Sequence, residues 1–216
     1  LFPFVPNPPS TQPPRQLKSI RFSFNKAGET PAFPVAGETP AFPAKEIPMR
    51  LGAFTTFTPE YTFPEACRLI KAIGYEGVQP RIVPEASVGF NPDKPLNPWS
   101  NNKGSLRETD FFADPVGTLR PVQEAGLVVT SVASYTNSGD LPRAVAMAQA
   151  CAKAGIKQVR IGPCGRPSKK EYDFRSYLDE ARQSYRELVA ECRKVGVRPC
   201  IELHMGTAFP GPSGIM

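Results

Sequence analysis

A chain of 216 residues, 40% hydrophobic and 21% charged, is long enough to bury the core of one globular domain. Its net charge of +6 comes from dispersed Lys and Arg with no basic run interleaved with aromatics, so nucleic acid is not an expected partner. No apolar run approaches the ~18 residues of a membrane span, and no basic start followed by an apolar stretch marks a secretory signal.

Residues 1–48 hold 11 of the 26 prolines and a tandem repeat, AGETPAFPV (27–35) followed by AGETPAFPA (36–44). Proline restricts φ, and little periodic apolar surface is present to offset the entropy of ordering. A disordered leader is therefore expected, with the folded domain at 49–216. The first strand is LGAFTTF (51–57). The first helix opens at Thr62-Phe63-Pro64-Glu65, a capping box with Pro in its first turn, and its apolar spacing is expected to bury Phe63, Ala66, Leu69, Ile70 and Ile73. GVQPRIV (77–83) is the second strand. Residues 84–113 read as a long loop carrying the single tryptophan, Trp99.

A second helix is predicted from Asp114-Pro115 to Ala125, a third strand at 127–135, and a third helix from Asp140 to Ala154. The fourth strand is QVRIGP (158–163). The fourth helix repeats apolar residues from Phe174 through Tyr177, Ala181, Tyr185, Leu188 and Cys192 to Val195. RPCIELH (198–204) is the fifth strand. The four helix-to-strand joints, AIGYEGV (72–78), EAGLVVTSV (124–132), KAGIKQVRI (153–161) and KVGVRPCIEL (194–203), each place Gly where a helix needs a left-handed C′ residue.

Five strands alternating with four helices predict a parallel α/β protein. The strands separate open sheet from barrel. An open doubly wound sheet buries both faces, so its strands are apolar throughout. Here Gln79, Arg81, Arg160, Glu202 and His204 sit on one face only and late in their strands, as in a barrel whose mouth is wet. In the fifth strand Ile201 and Leu203 are expected to face the helices and Glu202 the lumen. The five cysteines, Cys67, Cys151, Cys164, Cys192 and Cys200, have no metal-ligand or redox spacing and read as small apolar side chains. Such thiols suit a reducing, cytoplasmic compartment.

From Met49 onward the chain resembles the sugar phosphate isomerase/epimerase family of xylose isomerase-like TIM barrels. The resemblance is carried by MRLGAFTTFTPEYTFPEACRLIKAIGYEGVQPR, AGLVVTSVASY and GVRPCIELHMGT, and it covers the first five of eight barrel strands. It implies proton transfer next to the carbonyl of a sugar or sugar phosphate, assisted by a divalent metal (Mn, Co, Mg or Zn). The family's ligands are Glu, Asp, His and Glu from four successive strands, and Glu202 matches the first. That residue also serves as acid/base in epimerases. His204, on the same face, would orient substrate or support the metal shell. Gln79, Arg81, Trp99 and Arg160 are candidate substrate contacts, with 84–113 as a lid. Gln79 stands where relatives often carry Glu.

No residues remain for the Asp, His and second Glu of strands 6–8, so the expectation is a truncated barrel that binds metal weakly and has little isomerase activity alone. Inositol dehydration on the same barrel stays open, as does a homo-oligomer. A DNA-repair endonuclease of this barrel would need several metal-binding histidines, and the chain has one. The competing classes are a flavodoxin-like open-sheet module, with strand order 2-1-3-4-5 instead of 1-2-3-4-5, and an interaction protein that uses the Pro-rich repeat as its ligand.

Overall fold

The computed structural model describes residues 50–164, 173–204, 209 and 211. The Pro-rich leader, 1–48, lies outside the described residues. Eight short strands form two parallel ladders. The first joins β1 (Gly52–Phe54), β2 (Gly77–Gln79) and β5 (Val128–Val129) in the order β1-β2-β5. The second joins β3 (Arg81–Val83), β4 (Leu106–Arg107), β6 (Val132–Asn137), β7 (Gln158–Gly162) and β8 (Arg198–Cys200) in the order β4-β3-β6-β7-β8.

β2 and β3 are two halves of the predicted second strand, parted at Pro80, which has no N–H to give a ladder. β5 and β6 are likewise two parts of the third strand, so the sheets run first to fifth strand in sequential order. That order rules out the flavodoxin-like sheet and agrees with a partial barrel. β4 is an extra strand, inside the segment read as loop, and pairs in parallel with β3.

Six helices pack on these strands: α1 (Phe63–Ile73), α2 (Glu108–Ala113), α3 (Pro115–Thr118), α4 (Arg120–Glu124), α5 (Leu141–Lys153) and α6 (Phe174–Lys194). The predicted second helix is really α3 and α4, interrupted at Leu119. Pro121, in the first turn of α4, cannot donate to the turn before it. Residues 84–113 are also more ordered in kind than a plain loop. They hold a 3₁₀ turn (Glu85–Ser87), β4 and α2, and an Asn97–Asn101 bridge closes the turn that presents Trp99.

The main core runs from Phe63, Cys67 and Ile70 on α1 through Val78, Ile82, Val132, Val159 and Ile161 on the strands. It continues to Met147, Ala148 and Cys151 on α5 and Leu188 and Cys192 on α6. Ile73 departs from expectation: at the last position of α1 it is 63% exposed, because the stripe has rotated past the sheet. Phe174, the first residue of α6, is also exposed. Tyr185 and Tyr177 cap strand ends through their hydroxyls, which donate to the carbonyls of Ile161 and Cys164. A half-buried ion pair ties α2 to α5: Arg143 Nε donates to Oε1 of the buried Glu108 at 2.7 Å and its terminal nitrogen grips Oε2. This pair holds the Arg143 guanidinium above its ordinary pKa.

All four joint glycines adopt the left-handed region, with φ of 107° at Gly74, 67° at Gly126, 73° at Gly155 and 70° at Gly196. A Cβ at Gly155 would meet nothing within 4 Å, so backbone strain alone opposes a side chain there. Gly155→Ala should therefore lower stability by about 1 kcal/mol in urea denaturation, with the fold unchanged.

At the start of α1 the Glu65 carboxylate accepts from the Thr62 hydroxyl at 2.6 Å and the Thr62 N–H at 2.9 Å. The hydroxyl and then the N–H hold Glu65 below the ordinary glutamate pKa. A lowered carboxylate pKa contributes stability above the unfolded value, which is lost as pH falls through the folded one. Thr62→Val should move the Glu65 titration, followed by NMR, part of the way back up toward the ordinary ~4.3. The same change should weaken stability near neutral pH more than at pH values below that titration.

Candidate functional site

Register builds the site. Arg81 on β3 is level with Ala133 on β6, Ala133 with Arg160 on β7, and Arg160 with Cys200 on β8. Residues level with one another across a parallel ladder point to the same face, so Arg81 and Arg160 point the same way on either side of Ala133. Their opposite-face neighbours, Ile82, Val159 and Ile161, lie in the helix-packed core. Tyr135, two residues beyond Ala133, stands between the guanidinium groups. The Arg81 and Arg160 guanidinium carbons lie 4.6 and 5.0 Å from its ring centre.

Arg81 is only 3% exposed. Its Nε donates to the Tyr135 hydroxyl at 3.1 Å, and its terminal nitrogens donate to Ser105 Oγ at 2.5 Å and the Trp99 carbonyl at 2.7 Å. Its backbone N–H donates to Thr55 Oγ1 at 3.2 Å. Every one of these partners is neutral. Arg160 differs: one terminal nitrogen is ion-paired with Glu202 Oε2 and the other donates to the Ser134 carbonyl at 3.1 Å. The β6–β7 pairing slips between Ala133 and Asn137, and this irregularity frees the Ser134 carbonyl to turn toward Arg160. The Ser134 hydroxyl returns a bond to the Arg160 carbonyl at 2.5 Å.

The Glu202 side chain is 54% exposed and that of Arg160 18%, so solvent screening holds the pair to about 1 kcal/mol or less. Among the described residues none donates to Oε1 of Glu202. Ile201 packs against the apolar residues on the helix side, as its alternation predicts, whereas Leu203 is 42% exposed and packs with neither cluster. Both residues lie beyond the end of β8; Ile201, next to it, keeps the alternation and Leu203, two residues further on, has lost it.

Of the sequence candidates, Arg81, Arg160, Glu202 and Trp99 come together. The Trp99 ring packs on Phe54 at the end of β1, with centroids 6.1 Å apart. Gln79 does not join them; it lies deeper and donates to Ser131 Oγ at 2.6 Å. His204 is exposed, and its backbone N–H donates to the Phe209 carbonyl at 3.3 Å. Sequence reasoning passed over Tyr135, Ser134, Ser105 and Thr55. A tyrosine inward of two arginine-bearing strands was a usable signal, but the slip that turns Ser134 was not. A cavity of about 520 Å³ opens beside the row, lined by Arg81, Ser87, Gly89, Trp99, Ser100 and Tyr135 among others.

The divalent metal is a separate matter. Among the described residues no three His, Cys, Asp or Glu side chains come together to hold an ion. The acid at the mouth, Glu202, has one oxygen committed to Arg160. One half-committed carboxylate does not fit a cation that takes several oxygen ligands. The thiols offer no substitute: burial pushes Cys67 and Cys192 up to about 11 and Cys151 to about 12.

Tyr135→Phe keeps the ring between the arginines but removes the acceptor of the buried Arg81 Nε–H. It should cost about 1 kcal/mol in urea denaturation.

No family model matches the chain, and no curated protein matches it in sequence. Solved structures do. A D-tagatose 3-epimerase-like protein aligns with a TM-score of 0.51 at 11% identity, over 78% of this chain and 60% of its own. The IolI protein with a bound zinc atom aligns at 0.51 and 14% identity, over 74% of this chain and 54% of its own. A xylose isomerase-like TIM barrel protein from Mycobacterium smegmatis, in complex with magnesium, aligns at 0.49 and 12% identity over 76% of this chain and 58% of its own. The chain thus spans a little over half the length of each. At these identities the likeness is one of fold alone: the described strands form part of a TIM barrel like those of these structures.

Proposed function

We propose that the chain binds a sugar or sugar phosphate at the mouth formed by β3, β6, β7 and β8, and that it is of isomerase/epimerase type. One observation carries the reading: Arg81, Tyr135 and Arg160, from the neighbouring parallel strands β3, β6 and β7, meet Glu202, which follows the C-terminal end of β8. Loops and side chains at that end of a barrel are where its chemistry is found. The arginines and Tyr135 supply donors for hydroxyl and carbonyl oxygens. Trp99 offers an exposed apolar face against which a sugar ring can rest. Glu202, half-exposed and with Oε1 free of donors among the described residues, is the group able to take a proton from a carbon next to the carbonyl.

No step is routed through a cation, because the described residues do not assemble a site for one. With Glu202 the one acid that the described residues bring to the arginine row, proton transfer by this chain is expected to run well below the ~1 s⁻¹ floor of ordinary enzymes.

Incubating residues 1–216 with a panel of ketoses and ketose phosphates in deuterated water tests this directly. Ligand-induced NMR shifts at Tyr135 and Trp99 are expected, with slow deuterium uptake beside the carbonyl that falls ~100-fold or more in Glu202→Gln. Absence of shifts with every sugar would overturn the binding reading. Deuterium uptake unaffected by Glu202→Gln would remove that residue from the chemistry. Rapid turnover on adding Mn²⁺, Co²⁺, Mg²⁺ or Zn²⁺ would contradict the expected weak activity.

A further inference from the structure

Resting on the sugar-binding reading of this mouth, we infer that its ligand carries an oxyanion, phosphate or carboxylate, and that Arg81 is the anchor. Arg81 is almost wholly buried. Among the described residues it forms no ion pair, whereas Arg143 and Arg160 each hold a carboxylate. Taking a guanidinium out of water without a counter-charge is costly. Its protein partners are a phenol, a hydroxyl and a carbonyl, which orient the fork without neutralising it. Three hydrogen bonds leave the remaining guanidinium N–H groups available.

The surroundings point the same way. Arg81 lines the cavity of about 520 Å³, and among the described residues none that lines it is acidic. The hydroxyls of Ser87 and Ser100 line it as well. Across the Tyr135 ring stands a second guanidinium, that of Arg160, whose one counter-ion is the half-exposed Glu202. Two cations and one anion make the row cationic. The planar fork of Arg81 suits bidentate contact with either a phosphate or a carboxylate. A wholly neutral sugar would leave the imbalance as it is.

The sole tryptophan, Trp99, shares the cavity and provides the readout. Residues 1–216 are titrated with inorganic phosphate, D-gluconate and D-glucose at constant ionic strength, with chloride as the reference. Phosphate or gluconate should change Trp99 fluorescence saturably where chloride does not. Saturation by phosphate alone assigns a phosphate-bearing ligand, and by gluconate alone a sugar acid. Arg81→Gln, with its near-ultraviolet spectrum unchanged, should weaken that anion at least tenfold. Arg107→Gln removes an exposed cation, paired with Glu85, from the same segment and should leave affinity within about twofold.

Should Arg81→Gln fail to fold, Arg81→Lys keeps the charge and loses the fork, and affinity should fall several-fold. Affinity unchanged in the Arg81 variant that folds would overturn Arg81 as the anchor. Failure of both anions to bind while the ketose panel still gives NMR shifts would overturn this inference alone. Failure of anions and sugars together would overturn the sugar-binding reading with it.

Discussion

Parallel register across β3, β6, β7 and β8 is the constraint on which the site depends. It holds Arg81, Ala133, Arg160 and Cys200 level, so two arginines separated by one strand project from the same face on either side of Ala133. A larger side chain at the buried Ala133 would force the guanidiniums apart and displace Tyr135 from between them. A slip of one residue in either flanking strand would turn an arginine into the helix-packed core. The apolar residues on the other face, Ile82, Val159 and Ile161, are what prevent that slip. Core packing and charge placement are therefore two faces of one alignment.

Much of this was legible in the sequence, because it follows from local rules. The glycines at the helix-to-strand joints carry a backbone requirement that few other residues meet, and all four take positive φ. Alternation in the strands pointed to Arg81, Arg160 and Glu202 as companions, since period-2 geometry leaves little choice. What stayed hidden arises from non-local contacts. Tyr135 sits in a run, LVVTSVASY, whose apolar character conceals that one ring faces two cations. The slip between Ala133 and Asn137 has no signature in composition, and without it Ser134 could not reach Arg160. Pro80 and Pro121 are plain in the sequence, but that each splits its element depends on where the neighbouring ladder and turn need the missing N–H. Leu203 was assigned by extending the alternation past the point where ladder pairing ceases.

Two arginine environments in one small fold show how differently a charge can be accommodated. Arg143 and Glu108 neutralise one another and join α2 to α5 where no ligand is needed. Arg81, more deeply buried, is held by three neutral acceptors that also fasten the Trp99 turn and Ser105 to the barrel mouth. Its position thus couples the segment 84–113 to the strands, and whatever occupies the cavity meets both together.

The distribution of thiols has a practical side. Cys67, Cys151, Cys164 and Cys192 are all buried, which leaves Cys200 as the one cysteine with partial access to solvent. It is level with Arg160 in the ladder, one strand away. A maleimide-borne reporter would therefore settle selectively at the rim of the charged row without any engineered substitution, so conjugation chemistry could map distances across the mouth of the unmodified polypeptide.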